Sequence, residues 1–194
     1  MAWTFIKHHN LEGLHAPFSP SQSSWLRYDE EKAATVLRNR RKAERGTRLH
    51  AWAKETIDLR IKQPRSKNTL YAYVNDAIGF DMDTEVVLYY SDRFFGTADS
   101  ISFRKEARSE GLPVLRIHDL KTGETDVKME QLEIYAALFC LEYKVDPRKI
   151  KMELRIYQKD DVIFHNPTAE EVIAIMEHII RLDKATENIY NEEV

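Results

Sequence analysis

The chain has 194 residues, of which 43% are hydrophobic and 31% are charged, and its formal net charge is −3. This length suits one well-packed domain and is short for two. The composition is that of an ordinary globular protein, and the negative charge excludes a polycation, so any contact with nucleic acid requires a local basic patch.

The cysteine content and the apolar runs of the sequence indicate in which cellular compartment the protein is expected. Cys140 is the single cysteine, which excludes an internal disulfide and a self-contained thiolate site for zinc or an iron–sulfur cluster. A reducing, cytoplasmic setting is therefore expected. No window approaches the roughly 20 apolar residues of a membrane-spanning helix, and the first ten residues lack the apolar core of a signal peptide. No membrane partner is predicted.

The first third of the chain is predicted to form an arm and a long helix. Glycine and proline punctuate residues 1–23, which favours an irregular arm. A helical pattern follows and ends near residue 59. We expect Ser21 or Ser23 to cap this helix, and we expect a break or a close-packing point at Gly46.

A basic run lies in this predicted helix. The segment LRNRRKAERGTR, residues 37–48, contains one acidic residue among its arginines and lysines. Such a run attracts the phosphate backbone of nucleic acid, and a solvated helix face is the equally weighted alternative. The arginines assigned to DNA contact are Arg38, Arg41, Arg45 and Arg48.

The remainder of the chain combines strands and helices. Five runs rich in β-branched and aromatic residues predict strands. They cover residues 84–90, 94–104, 112–122, 149–158 and 161–165. Apolar spacing predicts helices at 70–80 and 128–144, and Thr168 with Glu171 forms a capping box for a last helix. This order indicates an α/β or α+β domain with one central sheet.

The third predicted strand carries an acid and a lysine on one face. Residues two apart in a strand point to the same side, so Asp119 and Lys121 project together and His118 faces away. A salt bridge alone is a poor reason to bury two charges. A carboxylate that binds a cation, beside an ammonium that handles a water or a phosphate oxygen, explains the pair better. Asp99 on the preceding strand can supply a second carboxylate, and Gly96 allows close backbone approach there.

Four short motifs occur in order along the chain. They are GTRLH (46–50), GTAD (96–99), DLK (119–121) and QLEIY (131–135). Together they resemble the GxxxH, GxxD, (D/E)xK and QxxxY motifs of the RecB-like branch of the PD-(D/E)xK nuclease superfamily. The segment FSPSQSSWL and the overall size are similar to stand-alone phage and prophage exonucleases of that branch. The chain is also similar to the CRISPR-adaptation nucleases, but it lacks their iron–sulfur cysteines.

The resemblance implies a fold and a metal site. The implied fold is α/β, with a central mixed β-sheet flanked by helices in a restriction-endonuclease-like core. Residues 1–23 would be the arm and residues 24–194 a single nuclease domain. One or two Mg²⁺ or Mn²⁺ ions are the implied cofactors, and no iron–sulfur cluster is expected. The implied metal ligands are His50, Asp99, Asp119 and the backbone carbonyl of Leu120, with Glu85 as a further candidate.

The resemblance also assigns roles. Asp99, Asp119 and Lys121 are the implied catalytic residues, and Lys121 would activate the attacking water and stabilise charge on the phosphate. Gln131 and Tyr135 lie four apart on one helix face, where they would contact DNA or brace the site. The DLK motif carries Asp where many relatives have Glu, which shortens the reach of the carboxylate.

The expected function is therefore metal-dependent hydrolysis of phosphodiester bonds in DNA. The resemblance favours an exonuclease of phage recombination or replication, or of DNA repair, in the cytoplasm of the host if the chain is phage-encoded. DNA is the expected partner, and a homo-oligomer and a recombination or single-strand-annealing protein are further candidates. Two alternatives stay open at this point. They are a catalytically idle DNA-binding accessory protein and a metal hydrolase of small phosphorylated substrates.

Overall fold

The structure is a computed structural model, and it describes most of the chain. The described ranges are residues 7–11, 13–105, 111–123 and 128–192. The chain groups into two compact units, Met1–Thr47 and Arg48–Val194. The division into an arm and one domain from residue 24 stays a prediction, and residues 1–6 and 12 of that arm lie outside the described ranges.

The first unit contains two short 3₁₀ helices and the start of a long helix. The 3₁₀ helices are His9–Leu11 and Ser23–Arg27, and the long helix, α1, is Glu30–Asp58. The boundary between the units falls within the residue range of α1. Within the described ranges, no helix is both long enough and apolar enough to cross a membrane.

The cap of α1 differs from the prediction. The Asp29 side chain accepts a hydrogen bond from the Lys32 N–H at 2.7 Å, so Asp29 is the N-cap. The prediction of Ser21 or Ser23 was wrong because these serines lead into the 3₁₀ turn, after which the backbone is extended again before α1 begins. Of the two alternatives predicted at Gly46, the break was wrong, since α1 continues through that residue, and close packing there stays a prediction.

The second unit contains a mixed five-stranded sheet in the order β1-β2-β3-β4-β5. The strands are β1 Asp83–Ser91, β2 Phe94–Lys105, β3 Pro113–Lys121, β4 Lys151–Gln158 and β5 Asp161–His165. The helices that follow α1 are α2 Thr69–Gly79, α3 Glu130–Glu142 and α4 Ala169–Glu192. The fold is thus α/β with a central mixed sheet flanked by helices, which confirms the predicted fold class and decides between the α/β and α+β alternatives that the order of the apolar patterns left open.

The direction of pairing changes at β3. This strand is antiparallel to β2 and parallel to β4, and β4 is antiparallel to β5. A parallel pair requires a crossover connection, and α3 lies in that connection between β3 and β4. The C-terminal end of β3 therefore leads toward the first turn of α3.

The two faces of the sheet carry separate hydrophobic cores. Leu115 and Ile117 of β3 belong to a large core with apolar residues of α3 and α4. Leu120 of β3 belongs to a smaller core with the C-terminal part of α1 and with α2. Because side chains alternate along a strand, this distribution assigns one pair of helices to each face.

The last helix begins as its sequence predicted. The Thr168 hydroxyl accepts from the Glu171 N–H at 3.3 Å, and the Glu171 carboxylate accepts from the Thr168 N–H at 2.7 Å. The Thr168 hydroxyl also donates to the Glu171 carboxylate at 2.9 Å, and the bond from the Thr168 N–H together with this one lowers the pKa of Glu171. The reciprocal pair is a capping box, and it satisfies two backbone donors at the start of α4.

The large core supports a stability prediction. Leu154 in β4 is fully buried in it, so Leu154→Ala should lower the free energy of unfolding by about 2–5 kcal/mol through lost burial and a residual cavity. Urea denaturation followed by circular dichroism measures this change. Leu182→Ala on α4, where Leu182 is 38% exposed, is the matched control, and an equal loss in both variants would contradict the assignment of the core.

Candidate metal centre

The centre of the site is an ion pair at the end of β3. The Lys121 ammonium lies 2.9 Å from both carboxylate oxygens of Asp119, which confirms that the two side chains project together. The Asp119 side chain is only 4% exposed. Hydrogen-bond geometry is satisfied with Oδ1 alone, so Oδ2 is buried without a hydrogen bond. Burial raises the pKa of Asp119, and the negative charge of Asp99 raises it further.

Lys121 is also held from α3. Its ammonium donates to Gln131 Oε1 at 3.0 Å, and the Gln131 amide donates to the Tyr135 hydroxyl at 3.4 Å. Gln131 and Tyr135, which the motif resemblance placed at the site, thus form a chain of contacts that leads to Asp119. Gln131 and Tyr135 were predicted either to contact DNA or to brace the site, and these contacts agree with the second role. A contact with DNA stays a prediction.

Asp99 lies where β2 and β3 stop pairing. The described β2–β3 register ends at Ser100 opposite His118. Beyond it, the Leu120 N–H donates to Asp99 Oδ2 at 2.9 Å, so a side-chain oxygen takes the place of a backbone acceptor. This hydrogen bond holds the Asp99 carboxylate beside the end of β3. The role of the Leu120 carbonyl as a metal ligand stays a prediction.

His50 and Glu85 complete a compact group with Asp99. One potential ligand atom of each residue lies within 4.8 Å of the others. His50 Nδ1 is 3.4 Å from Asp99 Oδ2, and this contact raises the pKa of His50. Among the described residues the group does not include Asp119. The predicted side-chain ligands therefore divide into a compact group of three and the buried Asp119, which is paired with Lys121.

The backbone of Glu85 explains how this side chain reaches the group. Glu85 has a φ of 51°, in the left-handed region that non-glycine residues rarely adopt. Its neighbours Thr84 and Val86 pair with Ser100 and Ala98 on β2, so Glu85 lies opposite Asp99. Such strain persists where the surrounding structure enforces it, and it is frequent at functional sites. The sequence alone gives no sign of this conformation.

The pleat of the hairpin changes side at Glu85 and Asp99. Ala98 packs in the large core, whereas Ser100 bonds the Met82 sulfur in the smaller core. In the same way, Val86 packs against the large core and Thr84 donates to Asp58 at the end of α1. Residues two apart in a regular strand would share a face. The two carboxylates thus lie where both strands switch faces.

Gly96 is required for space rather than for an unusual backbone. A Cβ at this position would lie 2.9 Å from Cε1 of Tyr135, a distance that real contacts essentially never show. The absence of a side chain on β2 lets the Tyr135 ring lie against the strand. This contact explains why the GTAD and QLEIY motifs occur together, because the glycine of GTAD leaves room for the tyrosine of QLEIY.

Sequence reasoning missed a cavity beside the ion pair. This cavity, of about 450 Å³, is lined in part by Lys121, Gln131 and Tyr135. Its other walls include Phe95 and Lys128, which belong to no motif, and Ile134, which lies within QLEIY but is not one of the residues to which that motif assigns a role. A usable signal was present, since residues 131, 134, 135 and 138 form one stripe of α3 at helical spacing.

The predicted DNA-contacting arginines fall in different units. Arg38, Arg41 and Arg45 belong to the first unit, and Arg48 belongs to the second with His50. All four side chains are exposed. Their contact with DNA stays a prediction.

The residues of the site fit a divalent cation. Two carboxylates and an imidazole within one compact group are side chains that could hold a metal ion, and the identity of that ion as Mg²⁺ or Mn²⁺ stays a prediction. The buried Asp119 Oδ2 adds an oxygen that lacks a hydrogen bond. Three acidic side chains face one ammonium and one imidazole, so a further cation would be electrostatically favoured.

The contact between Gly96 and Tyr135 supports a second prediction. Gly96→Ala should lower the free energy of unfolding by about 1–3 kcal/mol, because the new methyl group overlaps the Tyr135 ring. The cost should shrink when Tyr135→Leu is added, which a double-mutant cycle in urea would measure. Gly79→Ala is the matched control, since a Cβ there meets nothing within 4 Å. Equal effects at the two glycines would contradict the steric explanation.

Comparisons with known proteins give no relative. No family model matches the chain, and no curated protein and no solved structure is found to be similar to it. The nuclease resemblance therefore stays a prediction, and a proposal for function depends on the geometry of the site.

Proposed function

We propose that this protein is a metal-dependent DNA nuclease that hydrolyses phosphodiester bonds. One observation carries the proposal. A nearly fully buried carboxylate, Asp119, is paired with Lys121 and keeps one oxygen without a hydrogen bond, directly beside the group of His50, Glu85 and Asp99. Burying charge of this kind lowers the stability of the fold, so its presence favours a functional role over a structural one.

The ligands are assigned from that group. Asp99, Glu85 and His50 would hold one Mg²⁺ or Mn²⁺ ion, and Oδ2 of Asp119, which makes no hydrogen bond, would contribute from the end of β3. When bound, such an ion lowers the pKa of a water molecule and stabilises negative charge on a phosphate. The hydrogen bond from the Leu120 N–H keeps the Asp99 carboxylate in place for this role.

Lys121 is the side chain of the protein that would place a positive charge beside the phosphate, in addition to the metal ion. In hydrolysis, a water oxygen bonds to phosphorus, the bond to the leaving oxygen breaks, and that oxygen takes up a proton. Negative charge grows on the phosphate oxygens during this exchange, and an ammonium fixed beside them stabilises it. Asp119 and Gln131 hold the Lys121 ammonium from two sides, so its position is set before substrate binds.

The choice of DNA depends on the resemblance and on the basic run. The four ordered motifs are similar to those of DNA nucleases, and the exposed arginines of α1 offer contacts for a phosphate backbone. On the resemblance we further propose an exonuclease of phage recombination or replication, or of DNA repair, acting in the cytoplasm.

Metal binding gives a test that does not require cleavage. Addition of Mn²⁺ should raise the melting temperature of the protein, because a ligand that binds only the folded state stabilises it by about 2.7 kcal/mol at a hundred times its Kd. Asp99→Asn should abolish most of this shift. Asp92→Asn, which changes an exposed aspartate in the turn between β1 and β2, should retain it. A shift of equal size in all three proteins would contradict the assignment of the ligands.

Cleavage gives the second test. End-labelled linear DNA and covalently closed circular DNA would be incubated with Mg²⁺, Mn²⁺ or EDTA. We expect degradation of the linear form only, lost in EDTA, and a rate at least about a hundredfold lower in Lys121→Ala, since one preorganised charge contributes that much to such reactions. Asp119→Ala should also be inactive while retaining the circular dichroism spectrum of the fold.

The control for Lys121→Ala is Lys149→Ala, which removes an exposed lysine remote from the site. Lys149 lies two residues before the start of β4, whose first residues pair with the opposite end of β3. Its removal should leave the rate unchanged. Nicking of the circle would replace the exonuclease by an endonuclease with the same site, and retained cleavage in Lys121→Ala would refute the mechanism.

A further inference from the structure

The cavity beside Lys121 has walls of two chemical kinds. It lies between β2 and α3 and has a volume of about 450 Å³, which is in the range of small-ligand sites. Phe95, Ile134 and Leu138 form an apolar wall, whereas Lys121 and Lys128 contribute two positive charges. Glu130 is the acidic residue among those that line it.

Two of the three large residues that form the apolar wall are exposed to solvent. Phe95 is 61% exposed and Ile134 is 42% exposed. Phe95 lies opposite Tyr89 on β1, with ring centroids 6.5 Å apart, and a cross-strand aromatic pair of this kind stabilises a hairpin. That pairing does not account for Ile134 on the facing helix, nor for the space between the two residues.

The cavity is continuous with the candidate metal centre through shared residues. Lys121 lines the cavity and also contacts the buried Asp119. Gln131 and Tyr135 line the cavity and lie on the chain of contacts that holds Lys121. A ligand in the cavity would therefore lie directly beside the reacting phosphate.

We infer that this cavity binds one unpaired nucleotide of the DNA strand, with its base against Phe95 and Ile134 and its phosphate near Lys121 and Lys128. The inference rests on the proposed function and narrows its substrate to single-stranded DNA or to a frayed end. A flat aromatic base matches the apolar wall, and a phosphate matches the two ammonium groups. Base stacking on an aromatic side chain accepts any base, so no sequence preference is expected.

The requirement for an unpaired base follows from accessibility. In a duplex, each base is stacked on both sides and its pairing edge is occupied. A base reaches a pocket on a protein only after it leaves the stack, which has an energetic cost that is smallest for single-stranded DNA. The cavity thus favours a single strand over a blunt duplex of the same sequence.

Binding without cleavage tests this inference. A short fluorescein-labelled DNA strand and the blunt duplex of the same sequence would be titrated with protein in Ca²⁺. Fluorescence anisotropy reports binding, and a gel confirms that the DNA stays intact. Phe95→Ala should weaken binding of the single strand about tenfold or more, the loss typical of one stacked base, and Phe95→Trp should restore it. Phe164→Ala is the matched control, because Phe164 on β5 is also an exposed phenylalanine, at 59%.

The outcomes separate this inference from the proposed function. Equal binding of strand and duplex, or equal losses in Phe95→Ala and Phe164→Ala, would overturn the nucleotide site even if the wild-type protein cleaves DNA. Tighter binding of the single strand that depends on an aromatic residue at position 95 would support it. If the wild-type protein shows such binding but never cleaves with Mg²⁺ or Mn²⁺, the proposed hydrolysis fails and the nucleotide site stands.

Discussion

The ion pair of Asp119 and Lys121 is the interaction on which the arrangement of the site depends. A carboxylate that is removed from water has a high desolvation cost, and a single ammonium offsets it only in part. The ammonium must therefore be fixed, and Gln131 at the start of α3 accepts its second hydrogen bond. Tyr135, one turn further along α3, contacts Gln131 and requires Gly96 on β2. Residues of two strands and one helix are thus positioned around one buried charge.

The opposite face of the sheet shows how buried charge is arranged when it is matched locally. Arg155 on β4 pairs with Asp76 and also lies beside Glu153, and its guanidinium stacks near the ring of Phe80. His118, one residue before Asp119, faces this side, and burial together with the nearby arginines lowers its pKa well below the ordinary value. Both carboxylates there contact the Arg155 guanidinium. At the candidate site three carboxylates face one ammonium and one imidazole, and this excess of negative charge distinguishes it from that network.

The elements of the fold could be read from the sequence because their patterns are local. The hydrophobic run of β3 and the capping box at Thr168 each depend on residues a few positions apart. The motif resemblance also predicted His50 beside Asp99, and the imidazole lies 3.4 Å from that carboxylate. Two features could not be predicted, since they arise only from contacts between distant elements. They are the left-handed backbone of Glu85, set by the switch of the pleat, and the open wall formed by Phe95 with α3.

The position of the site follows from the pairing of β3. Because β4 is parallel to β3, the chain must cross over between them, and α3 in this crossover begins beside the C-terminal end of β3. Ligand sites in α/β sheets are common at such strand ends, where neighbouring connections diverge. Here the antiparallel partner β2 also stops pairing, at Ser100, so the Leu120 N–H bonds a side chain instead of a strand. The opening between β2 and α3 is therefore a consequence of topology, and the sequence places its carboxylates, its lysine and its exposed aromatic residue around that opening.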